Sequence, residues 1–180
     1  MRYTDYHDLK CHLRKLCECS NDPAHDEKMT TSELLAVNFD EVKTAYLNHL
    51  GFSEEKASSV DAVLDGFDDF TYLIEFKNGN VNSEKKNIQI KIRDSILMLC
   101  DICHCSISDT RKNTIFVLVY NEARSDLKWE TKRLIGASIL SGKSPAVFDL
   151  DKAAGFLVNR ILVLTKEQFE TKLVPKLKGL

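Results

Sequence analysis

Hydrophobic residues fall into short runs whose spacing changes repeatedly along the chain. Thr114–Tyr120 (TIFVLVY) is an almost unbroken apolar run, which is typical of a central strand buried on both faces. Residues 59–64 and 70–77 predict two strands that an Asp65-Gly66 turn joins into a hairpin. Residues 159–164 (NRILVL) predict a last strand. The hairpin strands must be antiparallel, whereas the later strands follow helical segments and can be parallel.

Between these strands, apolar residues recur at the spacing of helices. Residues 85–103 are ambiguous, because Ile88, Ile90 and Ile92 alternate as they would in a strand. The segment also repeats apolar residues every three or four positions and is longer than an ordinary strand. We therefore predict a helix there.

Capping signals mark the ends of other predicted helices. Asn38 begins one, because Glu41 completes a capping box and Gly51 suits the C-terminal cap. The remaining helical segments are predicted from Thr4 through Leu9, Leu13 and Leu16, as a turn over residues 33–37, from Ser125 or Asp126 to Ser141, after Asp149, and from Thr165 and Gln168 to a stop before Pro175. Strands that alternate with helices predict an α/β protein with a mixed central β-sheet flanked by helices.

A chain of this length fits one domain over residues 1–180. We expect an N-terminal helical extension (1–37), a core (about 38–120) and a C-terminal α/β extension (121–180). An apolar fraction of 43% and a charged fraction of 29% are those of an ordinary globular protein. Residues 1–19 lack the apolar core of a signal peptide, and no apolar run could span a bilayer. We expect a cytoplasmic protein without a membrane partner.

The charge pattern bears on nucleic-acid binding. A net charge of −2 supplies no general attraction for nucleic acid, so binding would need a local basic patch. Basic residues gather between Lys85 and Arg133, while acidic residues dominate before Glu75. This asymmetry predicts a phosphate-binding side beside an acidic site. Ordinary solvated helix faces are an equal alternative.

The six cysteines allow two interpretations. In a cytoplasmic protein they are expected to be reduced thiols that pack as small hydrophobic residues. Two clusters would alternatively act together to hold zinc or an iron–sulfur cluster: Cys11, Cys17 and Cys19 with His12, and Cys100, Cys103 and Cys105 with His104. The apolar helix around Cys100 and Cys103 favours the first interpretation.

The predicted hairpin carries the candidate chemistry. Because strand side chains alternate, Glu75 and Lys77 share one face of their strand, and Asp61 on the partner strand lies close enough to join Glu75. Buried charges are costly unless they are paired or bound to a metal ion. Two carboxylates suit a hard cation such as Mg²⁺.

Asp61, a spacer of thirteen residues and then Glu75-Phe76-Lys77 on an apolar strand resemble the PD-(D/E)xK nuclease superfamily. The order helix, hairpin, helix and strand over residues 38–120 is also similar to that of the superfamily. The stretch with SVDAVL before YLIEFKNG resembles bacterial proteins of this type. Val60 stands where the superfamily name has proline. The resemblance implies a restriction-endonuclease-like fold.

The resemblance also implies roles for particular residues. Asp61 and Glu75 would bind Mg²⁺ or Mn²⁺, and Lys77 would be the catalytic lysine. Gln89, on the helix after the hairpin, would complete the catalytic group. Many members carry a further glutamate on the preceding helix, for which Glu41 and Glu33 are the candidates.

Two functions follow as expectations. The first is a metal-dependent nuclease that hydrolyses phosphodiester bonds, with DNA favoured over RNA as the substrate. The second is a non-catalytic protein that keeps the nuclease fold and binds a protein partner, such as an immunity or defence-system component. Mild acidity and the absence of a sure helix glutamate favour the second.

Overall fold

The computed structural model of the chain describes residues 2–23 and 25–179. Within these residues the strands are β1 (Leu13–Lys15), β2 (Asn21–Asp22), β3 (Glu27–Lys28), β4 (Leu35–Asn38), β5 (Ala62–Asp65), β6 (Thr71–Lys77), β7 (Thr114–Tyr120) and β8 (Arg160–Thr165). The α-helices are α1 (His7–Lys10), α2 (Leu16–Cys19), α3 (Phe39–His49), α4 (Lys85–Ile102), α5 (Ile107–Asn113), α6 (Trp129–Ser141), α7 (Lys166–Gln168) and α8 (Val174–Leu177). Short 3₁₀ helices cover Tyr3–Asp5, Glu54–Lys56, Val81–Glu84 and Leu150–Lys152, and a π-helical turn covers Phe169–Leu173.

Six of the strands in the described part of the chain form one mixed sheet in the order β1-β4-β5-β6-β7-β8. The pairs from β1 to β6 are antiparallel, and β6, β7 and β8 run parallel. β2 and β3 form a separate small pair. The predicted α/β class with a mixed, helix-flanked sheet is confirmed, and so are the antiparallel hairpin and the parallel later strands.

The sheet separates two hydrophobic clusters, which is why β6 and β7 are buried on both faces. Leu73 faces a cluster that includes Ile88 and Ile92 of α4. Ile74, the next residue, faces a second cluster that includes Phe169 from the C-terminal helical segment. Alternate residues of one strand therefore belong to different clusters.

The helices of the core begin and end close to their predicted positions. The Asn38 side chain accepts the N–H of Glu41 at the start of α3, and Gly51 adopts a φ of 75° after its end. α4 covers almost the whole predicted span. α6 begins later than predicted, because Lys128 rather than Ser125 or Asp126 precedes it. The hydroxyl of Ser125 instead donates to the carbonyl of Gly79.

At the C-terminus, the predicted cap of the last helix is confirmed. Thr165 and Gln168 form a capping box at the start of α7. The predicted stop before Pro175 is wrong, because helical structure continues past it through the π-helical turn into α8. Pro175 lies in the first turn of α8, directly after the π-helical turn.

The N-terminal prediction is wrong in a way that changes the sheet. Residues predicted as one helix from Thr4 are divided among α1, β1 and α2, and the predicted turn over residues 33–37 is largely β4. β1 pairs with β4 with Leu13 opposite Val37, and β4 pairs in turn with β5. Thr4 binds the carboxylate of Asp65 instead of capping a helix. β1 and β4, most of whose residues fall within the predicted helical extension (1–37), therefore form an edge of the sheet.

Within the described residues, no helix combines the length and the apolar character needed to cross a membrane.

α4 holds the backbone that leads into β5. The hydroxyl of Ser95 accepts the N–H of Val60 at 2.9 Å, and the carboxylate of Asp94 accepts the N–H of Ser58 at 2.8 Å. Ser95 and Val60 are both fully buried. Because Val60 directly precedes Asp61, these two hydrogen bonds determine where that aspartate lies.

We expect Ser95→Ala to lower the free energy of unfolding by about 1–3 kcal/mol, because it leaves the buried N–H of Val60 without a partner. Urea denaturation followed by circular dichroism measures the change. Ser141→Ala, at an exposed serine of α6, is the matched control and should change stability by less than about 0.5 kcal/mol. Equal effects of the two substitutions would contradict the anchoring role of Ser95.

Candidate active site

Strand register brings Asp61 and Glu75 together. Ala62 pairs with Ile74, so Asp61 lies opposite Glu75 at the next position, and its N–H donates to the carbonyl of Ile74 at 3.1 Å. Because side chains opposite each other in a sheet share a face, both carboxylates point toward α4. Asp61 itself lies just before β5 rather than within it.

Two lysines neutralise these carboxylates. The Nζ atom of Lys91, on α4, lies 2.8 and 2.9 Å from the carboxylate oxygens of Glu75 and 3.3 Å from Oδ1 of Asp61. The Nζ atom of Lys77 lies 3.0 Å from Oε1 of Glu75. Glu75 has no exposed surface, so these contacts replace the water that a carboxylate would otherwise bind.

The environment of Asp61 opposes its ionisation. Burial and the neighbouring charge of Glu75 raise the pKa of Asp61 to about 7, although Lys91 and the N–H of Phe76 act in the opposite direction. That N–H donates to Oδ2 of Asp61 at 2.6 Å. For Lys91, burial alone would lower the pKa, but the charges of Asp61 and Glu75 outweigh it and hold the pKa above its usual range. Lys91 is therefore charged at neutral pH.

Asp61 stands at the wall of a cleft of about 380 Å³, which we call the acidic cleft, and the buried Glu75 lies behind it. Asp61 and Lys77 line it, and Asp40, at the start of α3, lines it as well. The remaining lining residues are Cys19, Ser20, Asn21, Asp22, Pro23, Met29, Phe76, Asn78, Gly79, Asn80, Ser83 and Glu84. The charged cluster is thus accessible from solvent on one side.

The structure brings together three of the four predicted site residues. Asp61, Glu75 and Lys77 meet as expected, whereas Gln89 lies elsewhere and its side-chain amide donates to the carbonyl of Phe148 at 3.4 Å. An α-helix turns about 100° per residue, so residues two apart on α4 point in nearly opposite directions. Gln89 consequently lines a separate cleft, and its assignment to the site is wrong.

Lys91 is the site residue that the sequence reasoning missed. The signal was available, because Lys91 lies three residues after Ile88 and four before Ser95, both on the buried side of α4. A lysine at such a position needs a buried anionic partner. Its partners, Asp61 and Glu75, lie on the hairpin, far from α4 in the spacing of helical residues. Helical spacing alone could therefore indicate a buried charge but could not identify its partners.

The glutamates considered for the preceding helix do not reach the site. Glu41 pairs with Arg14 at 2.7 Å and with His12 at 3.1 Å, and Glu33 pairs with Lys15 at 2.7 Å. The acidic residue that α3 contributes to the cleft is Asp40, one position before Glu41. Its charge contributes to the raised pKa of Asp61.

Among the described residues, no group of three or more histidine, cysteine, aspartate or glutamate side chains could hold a metal ion. All six cysteines are free thiols, and Cys17 and Cys103 are buried. The zinc or iron–sulfur alternative therefore finds no ligand group in the described part of the chain.

Asp61 and Glu75 have the donor chemistry for Mg²⁺ or Mn²⁺. Protein-bound Mg²⁺ commonly takes one or two carboxylates and completes its coordination with water and substrate phosphate, so Asp61 at the cleft wall with Glu75 behind it fits the ion. Burial and then the charge of Glu75 raise the pKa of Asp61, and a divalent cation would relieve the second of these effects. Lys91 contacts the same oxygens, so it would have to share or release them.

The fold and this site were compared with known proteins. No family model, no curated protein and no solved structure matches the chain. The likeness to the PD-(D/E)xK superfamily remains a prediction from the motif.

We expect the stability contribution of Asp61 to fall as pH rises. Its pKa in the folded protein, about 7, lies above the ordinary value of 3.8, so the folded state binds a proton more tightly than the unfolded state between these values. This contribution is fully present below about pH 4 and is lost as pH rises through 7. Urea denaturation between pH 4.5 and 8 should therefore show a decline that Asp61→Asn reduces. The same decline in both proteins would contradict this assignment.

Proposed function

We propose that this protein is a metal-dependent nuclease that hydrolyses phosphodiester bonds in the cytoplasm, with DNA favoured over RNA. The observation that carries the proposal is the convergence of Asp61, Glu75 and Lys77, of which Asp61 and Lys77 line the acidic cleft. Their carboxylate–carboxylate–lysine chemistry matches what the motif implied. Free thiols at all six cysteines support the reducing compartment.

Each residue has a role that its position supports. Asp61 and Glu75 would hold the metal ion, which when bound polarises a phosphate and lowers the pKa of a water molecule. Lys77 extends its ammonium group to the cleft, where it offsets the negative charge of a phosphate. Lys91 holds both carboxylates in position and limits their repulsion until the cation binds.

The first test is cleavage of a plasmid and of labelled oligonucleotides with Mg²⁺ or Mn²⁺. We expect Glu75→Gln and Lys77→Met to lower the rate of cleavage by at least about 100-fold, because each removes a charge that acts on the metal ion or phosphate. Loss of activity in EDTA should accompany these effects. The matched control is Lys15→Met. This change on the edge strand β1 breaks an exposed ion pair with Glu33 and should leave the rate of cleavage unchanged.

Cleavage that persists in both variants while they remain folded would contradict the assignment of the site. Cleavage that does not depend on a divalent cation would contradict the proposed chemistry.

One observation favours the alternative, a nuclease-fold protein that binds a protein partner without cleaving anything. The charges of Asp61 and Glu75 are already balanced by Lys77 and Lys91, so the cluster is satisfied without a metal ion. Calorimetric titration of the folded protein with Mn²⁺ separates the two functions. Measurable binding supports the nuclease, and its absence supports the protein-binding role.

Lys91→Met tests whether Lys91 and a metal ion compete for the same oxygens. Without metal, we expect a loss of about 3–5 kcal/mol in the free energy of unfolding, because two buried carboxylates lose their shared partner. Mn²⁺ should then raise the Tm of the variant more than that of the wild type, as measured by thermal denaturation. Lys132→Met, at an exposed pair with Glu122, is the control and should behave as the wild type. A destabilised Lys91→Met variant that Mn²⁺ fails to stabilise would contradict metal binding by these carboxylates.

A further inference from the structure

The single tryptophan of the chain lies on the surface beside positive charge. Trp129 begins α6 and is 65% exposed, an unusual environment for the largest apolar side chain. The guanidinium carbon of Arg133, one turn along the helix, lies 5.2 Å from the centre of its ring. This cation–π contact orients the indole and still leaves most of it accessible.

Hydrogen bonds tie the segment just before α6 to the segment that follows β6, where Gly79 lines the acidic cleft. The hydroxyl of Ser125 donates to the carbonyl of Gly79 at 3.0 Å. The side-chain amide of Asn82 donates to the carbonyl of Asp126, also at 3.0 Å. Trp129 follows Asp126 by three residues, so its Cα lies within about 11 Å of that contact. Asn82 itself lines a neighbouring cleft, so the segment that carries Trp129 is joined to the wall of that cleft.

A second cleft, of about 470 Å³, runs along the start of α4. Lys85 and Lys86 line it, as does Lys152, which pairs with Asp149 at 3.0 Å. Ser83 lines both this lysine cleft and the acidic cleft, so the two clefts are neighbours that share one wall residue. A strand bound in the lysine cleft would therefore lie next to the acidic cleft.

Basic side chains lie on both segments that the Asn82 contact joins. Lys128 and Arg133 are exposed beside Trp129, as is the acidic Glu130, and Lys85 and Lys86 line the lysine cleft together with Asn82. A basic track with an exposed aromatic ring is how proteins bind single strands, because each base can stack on the ring. In a duplex both faces of a base are covered by its neighbours, so such a ring finds no stacking partner.

We propose that Trp129 stacks on a base of single-stranded DNA whose backbone follows the lysine cleft toward Asp61 and Glu75. In naming an unpaired strand as the substrate, this inference rests on the proposed nuclease function. Binding through Trp129 is nevertheless measurable without any cleavage.

The test uses the fluorescence of Trp129, which has no other tryptophan to obscure it. The whole protein is titrated in EDTA, where no metal-dependent cleavage occurs, with a strand of about 12 nucleotides and with the duplex of that strand. We expect saturable quenching by the single strand at low salt and at least about 10-fold weaker binding of the duplex. Binding should weaken as salt rises, because released counterions contribute to it.

Variants connect the binding to the indole. Trp129→Ala should weaken binding of a fluorescently labelled strand, followed by anisotropy, by about 5- to 100-fold, the range for loss of one stacked base. Trp129→Phe should retain most of the affinity. The matched control is Phe67→Ala, because Phe67 is 67% exposed and lies in the β5–β6 turn, at the opposite end of β6 from Lys77.

Equal quenching by strand and duplex, no quenching by either, or unchanged affinity in Trp129→Ala would each overturn the inference. The last two results would leave the exposed indole to a protein partner. Quenching by the single strand with no cleavage in Mg²⁺ or Mn²⁺ would contradict the nuclease function and support the binding site. Cleavage without quenching of the Trp129 fluorescence would support the nuclease function and contradict the binding site.

Discussion

The ammonium group of Lys91, placed between the carboxylates of Asp61 and Glu75, is the contact on which the centre of this molecule depends. Glu75 has no exposed surface, so its charge would be very costly without a partner. The partner is Lys91 of α4, and its ammonium group can reach Glu75 only when α4 packs on the hairpin at one particular position along its own axis. The backbone N–H groups of Val60 and Ser58 donate to side chains of α4, and these hydrogen bonds hold the helix in that position. One polar cluster thus determines how helix and hairpin pack.

The same cluster combines stability with the proposed chemistry. Burial and the nearby charge of Glu75 together raise the pKa of Asp61 to about 7, and the two carboxylates would repel each other without Lys77 and Lys91. In the proposed function, a divalent cation would supply the positive charge that the lysines now supply. The acidic cleft and the lysine cleft concentrate charges of opposite sign on neighbouring parts of the surface.

Elements with a strong local pattern were predictable from the sequence. The apolar run of β7, the long repeat of α4 and the cap at Asn38 each carry their own signal, because burial on both faces, helical spacing and capping chemistry act over a few residues. β1 and β4 carry no such signal. Both strands are short, and the leucines at 9, 13 and 16 also fit a helix. Only pairing across the sheet, of β1 with β4 and of β4 with β5, decides their conformation.

The sequence by itself determined that Asp61, Glu75 and Lys77 meet, because a hairpin with a short turn and alternating side chains places them on one face. Only the tertiary structure decided which residues of α4 and α3 join them. The rotation of α4 brings Lys91 rather than Gln89 to the carboxylates, and the packing of α3 brings Asp40 rather than Glu41 to the cleft. Helical spacing specifies which residues share a face, but the direction of that face depends on contacts between segments distant in sequence.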